Sequence, residues 1–494
     1  MKSSKRDNYF FFLIQKEQLL DWLVLASGIA LACLTVTWSY PYPGTISDSY
    51  TYLASAIGKN YLAYRPFGYS GFLQAIHLFS HSIYSIIVSQ AFLYFISLGL
   101  LLLAIKRYWP PRHRGWFLLF ELLVALSPTA IFLLDTILSD PLFCCTVFAM
   151  VAMVIVMIHE PSWVALAIYA LAFFGALHTR YSALFFPLAF LPILLIARKG
   201  VFRWISVALT VLVVGVFVQQ TAHNMSYEAG RWQFSTGFDG WQLANNALHV
   251  IPFLDEEDLK KQPDDDMLVS IHDYCLNFRP AIRQATNDGR HTTAVFLWGN
   301  DYPLKQMTFA YMQASRLSYY PAWIKMGTSY FKQYGKWVIT HFPGKFIKYF
   351  LFPNTLHVFF PDDLEAVCGY MDVEANENVF VDWFDISRST PLKARNNEYS
   401  RVFAPVLPWI EVVTWVVFLV SAVVLLVSRK WRGPLSRETR LALWMLFLFG
   451  LIYYGSTTFS SPIVIRYWMP MHAVKLCFAW IAFRSAEKSV SLHS

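Results

Sequence analysis

Charge is what this chain has least of. Only 15% of its 494 residues are Asp, Glu, Lys or Arg, against roughly 25% in an ordinary soluble chain. A large soluble enzyme is thereby excluded. There is no fixed-period repeat, no long low-complexity tract and no glycine-rich phosphate loop, which removes solenoid, disordered and P-loop readings. His178, His223, His249, His272 and His291 show no H-E-x-x-H spacing, so a zinc-protease site is absent. The acidic run 255–266, "DEEDLKKQPDDD", lacks the ligand alternation and glycine of an EF-hand and reads as a solvated loop. Cysteine is scarce too, at six. Cys33, Cys144, Cys145 and Cys477 fall in apolar runs and act as small hydrophobes. Cys275 and Cys368 lie in the long polar segment, where an oxidising compartment would permit a disulfide; paired and free thiols both stay open.

What remains is apolar: 56% hydrophobic and 18% aromatic. Runs near 18 residues or longer can cross about 30 Å of hydrocarbon. Ten spans are expected, at 19–37, 84–105, 115–134, 139–158, 162–177, 181–197, 203–220, 405–428, 440–457 and 463–483. The first is too long for a signal-peptide core and no A-x-A-like site closes it, so it reads as a retained anchor. The run 346–360, interrupted by Pro353, reads as an interfacial helix.

The net charge of +8 is explained by topology. Basic clusters at Lys2, Lys5, Arg6 and Lys16, at Lys106, Arg107, Arg112 and Arg114, at Arg198, Lys199 and Arg203, at 429–440 and at Arg484 and Lys488 all fall on one side of the ten-span layout. The positive-inside rule makes that side, and both termini, cytoplasmic. No nucleic-acid footprint is needed.

Three regions follow: 1–220, seven spans with an outer loop at 38–83; 221–404, an outer segment; and 405–494, three spans and a tail. The fold class is mainly α, a polytopic helical membrane protein whose outer segment is mixed but mostly helical. The stretch 372–385, "DVEANENVFVDWFD", reads as a loop. In the first outer loop, Tyr50, Leu53, Ala54 and Ile57 recur at helical spacing, describing a short helix on the membrane surface. Asp48 stands at its start, and Pro66 and Gly68 break the chain before the next helical stretch.

Asp48 serves as a helix cap, as a base at the water–lipid boundary, or as both. Asp140, in "LLDTILSDPLF", is best read as a cap, with Pro141 at the first helical position; Asp135 is a weaker candidate. Arg180 reads as a snorkelling interfacial arginine. Arg466 lies just inside an apolar run, where ionised groups cost about 2.5–3.5 kcal/mol at worst depth and usually face a cavity and a partner. Arg65 is a third outer cation. A planar guanidinium suits phosphate. Carboxylates and arginines meeting at lipid depth therefore point to a lipid-linked phosphate and to transfer of the group it carries. Phosphate leaves as a stable anion, so no second acid is required, unlike in a glycosidase.

These stretches, "SDSYTYLASA", "YRPFGYSGFL", "ILSDPLF", "HTRYSALFFP" and "IRYWMP", resemble the GT-C superfamily of integral membrane glycosyltransferases. The likeness is to the bacterial branch holding the lipid A aminoarabinose transferase and the protein mannosyltransferase relatives. It covers the first half well and the outer segment poorly. The resemblance implies that Asp48 is the catalytic base, that Asp140 positions acceptor or base, and that Arg180 and Arg466 lie near the donor phosphate; Arg65, the third outer cation, is counted with them as a phosphate ligand. It further implies that Tyr52, Tyr64, His178, Tyr181, Trp241, Asn245 and Tyr467 line the substrate, with Trp241 and the Asn245–Asn246 pair equally readable as core. Many relatives carry two adjacent acids where this chain has Asp48–Ser49. The implied donor is a polyprenyl-phosphate sugar; the acceptor is a glycan, lipid or protein hydroxyl; the place is the bacterial inner membrane. No cofactor is called for, and a divalent metal stays open. Two other readings are an O-antigen polymerase or ligase using a lipid diphosphate, and a transporter or flippase. The latter lacks the internal repeats and mid-span charges such proteins carry.

Overall fold

A computed structural model describes residues 8–39, 42–58, 65–230, 232–234, 237–287, 299–361, 377–387, 402, 405–428 and 435–491. Among these residues there is no strand, only one isolated parallel bridge between Gly44 and Thr136. The chain divides into two compact units. One comprises 1–217, 360–453 and 465–494; the other comprises 218–359 and 454–464.

In the first unit, the helices Ile83–Tyr108, Ser139–His159 and Trp163–Thr179 pack along one another. Ser139–His159 is buried along almost its whole length, which suits a helix apolar on every face. Ser82 caps Ile83–Tyr108, its hydroxyl accepting the Tyr84 amide, while Lys106 and Arg107 occupy the last turn, where cations suit the helix dipole.

Six helices are long and apolar enough to cross a membrane: Lys16–Thr35, Ile83–Tyr108, Ser139–His159, Gly200–Tyr227, Leu407–Val427 and Arg437–Ser460. The expected span 115–134 is two helices, Arg114–Ala125 and Pro128–Leu134, bent by 47°. Pro128 explains the break, because its ring starts a helix but cannot continue one. Counting that pair gives seven. Trp163–Thr179 and Tyr181–Ala197 are shorter apolar helices, and Met469–Ser491, which carries Lys475, is not among the six.

Two other sequence readings are corrected. Within 372–385, residues Glu377–Trp383 form a helix. Phe380, Val381, Trp383 and Phe384 bury themselves against Tyr52, Leu53, Tyr69 and Leu73, and that apolar face stabilises the short helix. Pro353 does not interrupt 346–360. The chain runs through Pro343–Phe346, a π turn at Ile347–Leu351 and Phe352–Phe359, the wider turn accommodating the missing proline N–H. Cys368 lies outside the described residues, and Cys275 is buried.

The second unit is built on close backbone approach. The helix Phe238–Leu248 lies on the π turn Met326–Phe331 and the helix Lys332–His341. A Cβ on Gly240 would stand 2.0 Å from the Gly327 carbonyl oxygen, and one on Gly335 would stand 2.7 Å from the Ala244 nitrogen. Gly240→Ala is expected to destabilise this unit by about 3 kcal/mol, the upper end for overpacking. Gly344→Ala, with nothing within 4 Å of its added Cβ, serves as the neutral comparison. Thermal unfolding followed by fluorescence reads both, since Trp241 and Trp323 sit in this core with ring centroids 5.6 Å apart.

Candidate active site

The site lies in the first unit, where two interhelical loops are laced together. The Gly44 amide donates to the Asp135 carbonyl at 2.8 Å, and the Ile137 amide donates back to Gly44 at 3.0 Å. Ser49 Oγ donates to the Ile137 carbonyl at 2.7 Å, and the Tyr52 hydroxyl donates to Ser139 Oγ at 2.8 Å. These bonds set the first turn of Ser47–Gly58 beside the first turn of Ser139–His159, and each turn carries one acid.

Five side chains then alternate in charge. Arg65 Nη2 stands 2.5 Å from Asp48 Oδ1, and Arg466 Nη2 stands 2.7 Å from Asp48 Oδ2. Arg466 Nη1 reaches 3.8 Å from Asp140 Oδ2, and Arg180 Nη2 is 2.5 Å from Asp140 Oδ1. Arg466 thus bridges the two acids. Asp140 is 1% exposed, whereas Asp48 is 18% exposed and the arginines 16–18%. The cluster is sunk into the protein but open on the Asp48 side.

Aromatic rings set the arginines' positions. The Tyr467 ring is shared by two guanidiniums, its centre 4.9 Å from that of Arg180 and 5.3 Å from that of Arg466. Phe143 also backs Arg180 at 5.4 Å, and Tyr52 backs Arg65 at 4.9 Å. Such contacts attract cations to ring faces and fix their planes. The Tyr467 carbonyl in turn accepts the Tyr453 hydroxyl at 2.5 Å.

Burial by itself would raise the Asp48 carboxyl, but Arg466 and Arg65 outweigh it and hold the group well below the ordinary carboxylate range. Burial likewise opposes the charge on Arg466, and Asp48 and Asp140 more than restore it. Asp48 is therefore ionised in this arrangement. Its contribution to stability is present above its ordinary value and is lost only as pH falls toward the depressed one.

The other sequence candidates fall elsewhere. Asp140 does not cap its helix: Ser139–His159 starts one residue before it, its N-cap Leu138 makes no side-chain bond, and Pro141 is the third helical residue. The carboxylate turns to Arg180, because a buried guanidinium needs its charge balanced. Asp135 ends Pro128–Leu134, fully buried. Tyr52 is buried, its hydroxyl on Ser139 and its ring under Arg65; it holds the site together. His178 ends Trp163–Thr179, with Nδ1 2.9 Å from the Phe174 carbonyl, and Tyr181 packs near Phe217. Tyr64 lies outside the described residues.

Trp241 and Asn245 are in the second unit and fully buried, Trp241 against Trp323 and Phe331. Trp241 is core there. Asn246 donates to the carbonyls of Phe459 and Ser460, and Asn354 to those of Thr458 and Ser461, satisfying carbonyls at a helix end.

Sequence reasoning missed a second charged group. Glu411 Oε2 accepts from Lys475 Nζ at 2.8 Å, its Oε1 is 3.2 Å from His472 Nδ1, and Lys475 rests over Trp415 at 4.4 Å. Glu411 and Lys475 inside apolar runs were the available signal. Among the described residues no group of three or more His, Cys, Asp or Glu is arranged to hold a metal ion.

No family model matches the chain, and no curated protein matches it. Among solved structures, the chain is similar to ArnT from Cupriavidus metallidurans bound to Undecaprenyl phosphate. The identity is 11%, the match covers 95% of this chain and 78% of that one, and the TM-score is 0.35. The same protein in the apo state is 13% identical, with coverage of 95% and 78% and a TM-score of 0.34. A superposition this loose transfers no residue roles, and none is taken from it.

Proposed function

We propose that this membrane protein transfers a sugar from a polyprenyl-monophosphate donor to an acceptor hydroxyl at the outer face of the bacterial inner membrane, inverting the anomeric centre. The observation that carries this reading is the five-residue cluster. Three guanidiniums against two carboxylates leave one unit of positive charge among the described side chains. A sugar phosphodiester carries one negative charge and neutralises that excess; a diphosphate donor carries two and overshoots it. Desolvated charge is costly, so the balance favours the monophosphate.

In the reaction, the acceptor oxygen bonds to the anomeric carbon while the bond from that carbon to the phosphate oxygen breaks. The electron pair leaves with the phosphate, whose growing charge the arginines stabilise. The acceptor proton passes to Asp48, the more exposed of the two acids. Asp140, almost fully buried between Arg180 and Arg466, fixes the arginines rather than meeting the acceptor.

The purified protein, given polyprenyl-monophosphate and polyprenyl-diphosphate sugars in turn, is expected to consume the monophosphate at least tenfold faster. Equal or faster use of the diphosphate would replace this reading with a polymerase or ligase. Mass spectrometry of envelope glycans from a deletion strain identifies the acceptor.

A further inference from the structure

In the arrangement described above, both oxygens of Asp48 are taken. Arg65 holds Oδ1 at 2.5 Å and Arg466 holds Oδ2 at 2.7 Å. Each carboxylate oxygen of the proposed base is thus held by a guanidinium, which weakens it as a proton acceptor, and the arginines proposed for the phosphate are turned to carboxylates. Both requirements are met by one exchange. We propose that Arg466 is an exchangeable counter-ion that leaves Asp48 for the donor phosphate, so that donor binding itself uncovers the base.

This rests on the transferase reading and adds to it an order of events. Arg466 is the arginine suited to move. It is shared between two acids, and its second contact, at 3.8 Å to Asp140, is longer than an ordinary hydrogen bond. Arg180 makes a single 2.5 Å contact with the more buried of the two site acids and is backed by both Phe143 and Tyr467. Arg466 sits in the short turn Ile465–Trp468, between the helices Arg437–Ser460 and Met469–Ser491, so it can re-aim without moving a helix. Tyr467 is then a positioning residue. Its ring is in contact with both Arg180 and Arg466, keeping Arg466 near a phosphate held by Arg180 after it lets go of Asp48.

The charged groups around the Asp48 carboxylate are Arg65 and Arg466, with Asp140 and Arg180 beyond Arg466. The helices packed on Ser47–Gly58 add His77 and Asp382, and nearby the His81–Asp385 pair, with Nδ1 and Oδ2 2.5 Å apart. With Arg466 gone, the carboxyl rises toward its ordinary range, since Arg466 is the strongest influence holding it down.

The test is a competition. If Asp48 and phosphate compete for one guanidinium, removing the carboxylate charge strengthens phosphate binding. Undecaprenyl phosphate in detergent micelles, and inorganic phosphate in parallel, are titrated into the wild-type protein and Asp48→Asn. The variant is expected to bind undecaprenyl phosphate roughly tenfold more tightly, as a released charge-assisted pair implies. A gain for inorganic phosphate as well assigns the effect to the headgroup; a gain for the lipid alone assigns it to the headgroup held at lipid depth. Either supports the exchange. Unchanged or weaker lipid binding overturns it.

The wild-type protein supplies a second readout that does not depend on the variant folding. The acid limb of kcat, which reports the donor complex, should lie about one pH unit or more above that of kcat/KM, which reports the free protein. Coincident limbs overturn the exchange. An Asp48→Asn protein that transfers no sugar yet binds lipid phosphate no more tightly defeats the exchange alone. One that still transfers sugar defeats the transferase assignment of Asp48 itself. Tyr467→Phe should keep both the binding and the pH separation, whereas Tyr467→Leu should lose at least tenfold in donor KM with a smaller change in kcat.

Discussion

Asp48→Asn is expected to slow sugar transfer by roughly 10²- to 10⁴-fold, the usual contribution of a positioned general base. Asparagine keeps the volume of the side chain and one carbonyl oxygen for an arginine hydrogen bond, so the fold should tolerate it. The stability change should stay near 1–2 kcal/mol, because the site is part-exposed and its pairs are partly screened. Transfer rate with a polyprenyl-monophosphate sugar, measured beside thermal unfolding in detergent, separates the two effects. A variant that melts like the wild type and still transfers at more than a tenth of its rate removes Asp48 from the base role. Asp48→Glu is the sharper control. It keeps the acid but pushes it one methylene farther toward Arg65 and Arg466, and it should recover only part of the rate.

The second large effect belongs to Arg466. It is the one described arginine in contact with both acids, at 2.7 and 3.8 Å, and its guanidinium carbon lies over the Tyr467 ring at 5.3 Å. Lysine can supply the charge but neither the fork nor the flat face. Arg466→Lys should therefore lower kcat/KM by about 10²- to 10³-fold, comparable to losing one strong donor to a transition-state oxyanion. Arg466→Ala should do more. It leaves Asp48 and Asp140 without their shared cation, and breaking such a buried pair costs about 3–5 kcal/mol. The expected order of damage is Arg466, then Arg180, then Arg65. A milder loss for Arg466→Lys than for Arg65→Lys would show that bridging the acids is unimportant to catalysis.

Much of the site was visible as residues before it was visible as geometry. Helical spacing at Tyr50, Leu53, Ala54 and Ile57 marked a short helix, and the structure forms it as Ser47–Gly58 with Asp48 in its first turn. Arg466 stood out because an ionised group in an apolar run needs a partner. Asp140 was misread for an understandable reason: Ser–Asp–Pro is a local capping pattern, and nothing local announces an arginine 40 residues away. The helix at 377–383 was hidden in the same way. Its polar and acidic letters resemble a loop, and only the apolar surface made by Ser47–Gly58 together with Gly68–His77 gives its phenyl and indole rings somewhere to go. For Trp241 and Asn245 the sequence left two readings open. A tryptophan near amides suits a sugar on paper, yet the pattern does not say whether the ring faces a cavity or another tryptophan.

The sequence by itself determined that this is a helical membrane protein, where its basic residues cluster and which few charged groups lie in or beside its apolar runs. Those properties are local: the length of an apolar run and the cost of a charge within it need no knowledge of the rest of the chain. Only the tertiary structure decided which acid meets which arginine. The pairings join residues from 17 to 418 positions apart. They depend on backbone bonds at Gly44 and Ile137 that lace two interhelical loops together, and on an aromatic ring at Tyr467 that two cations share. No periodicity encodes such contacts, because they arise from surfaces that exist only once the helices have packed.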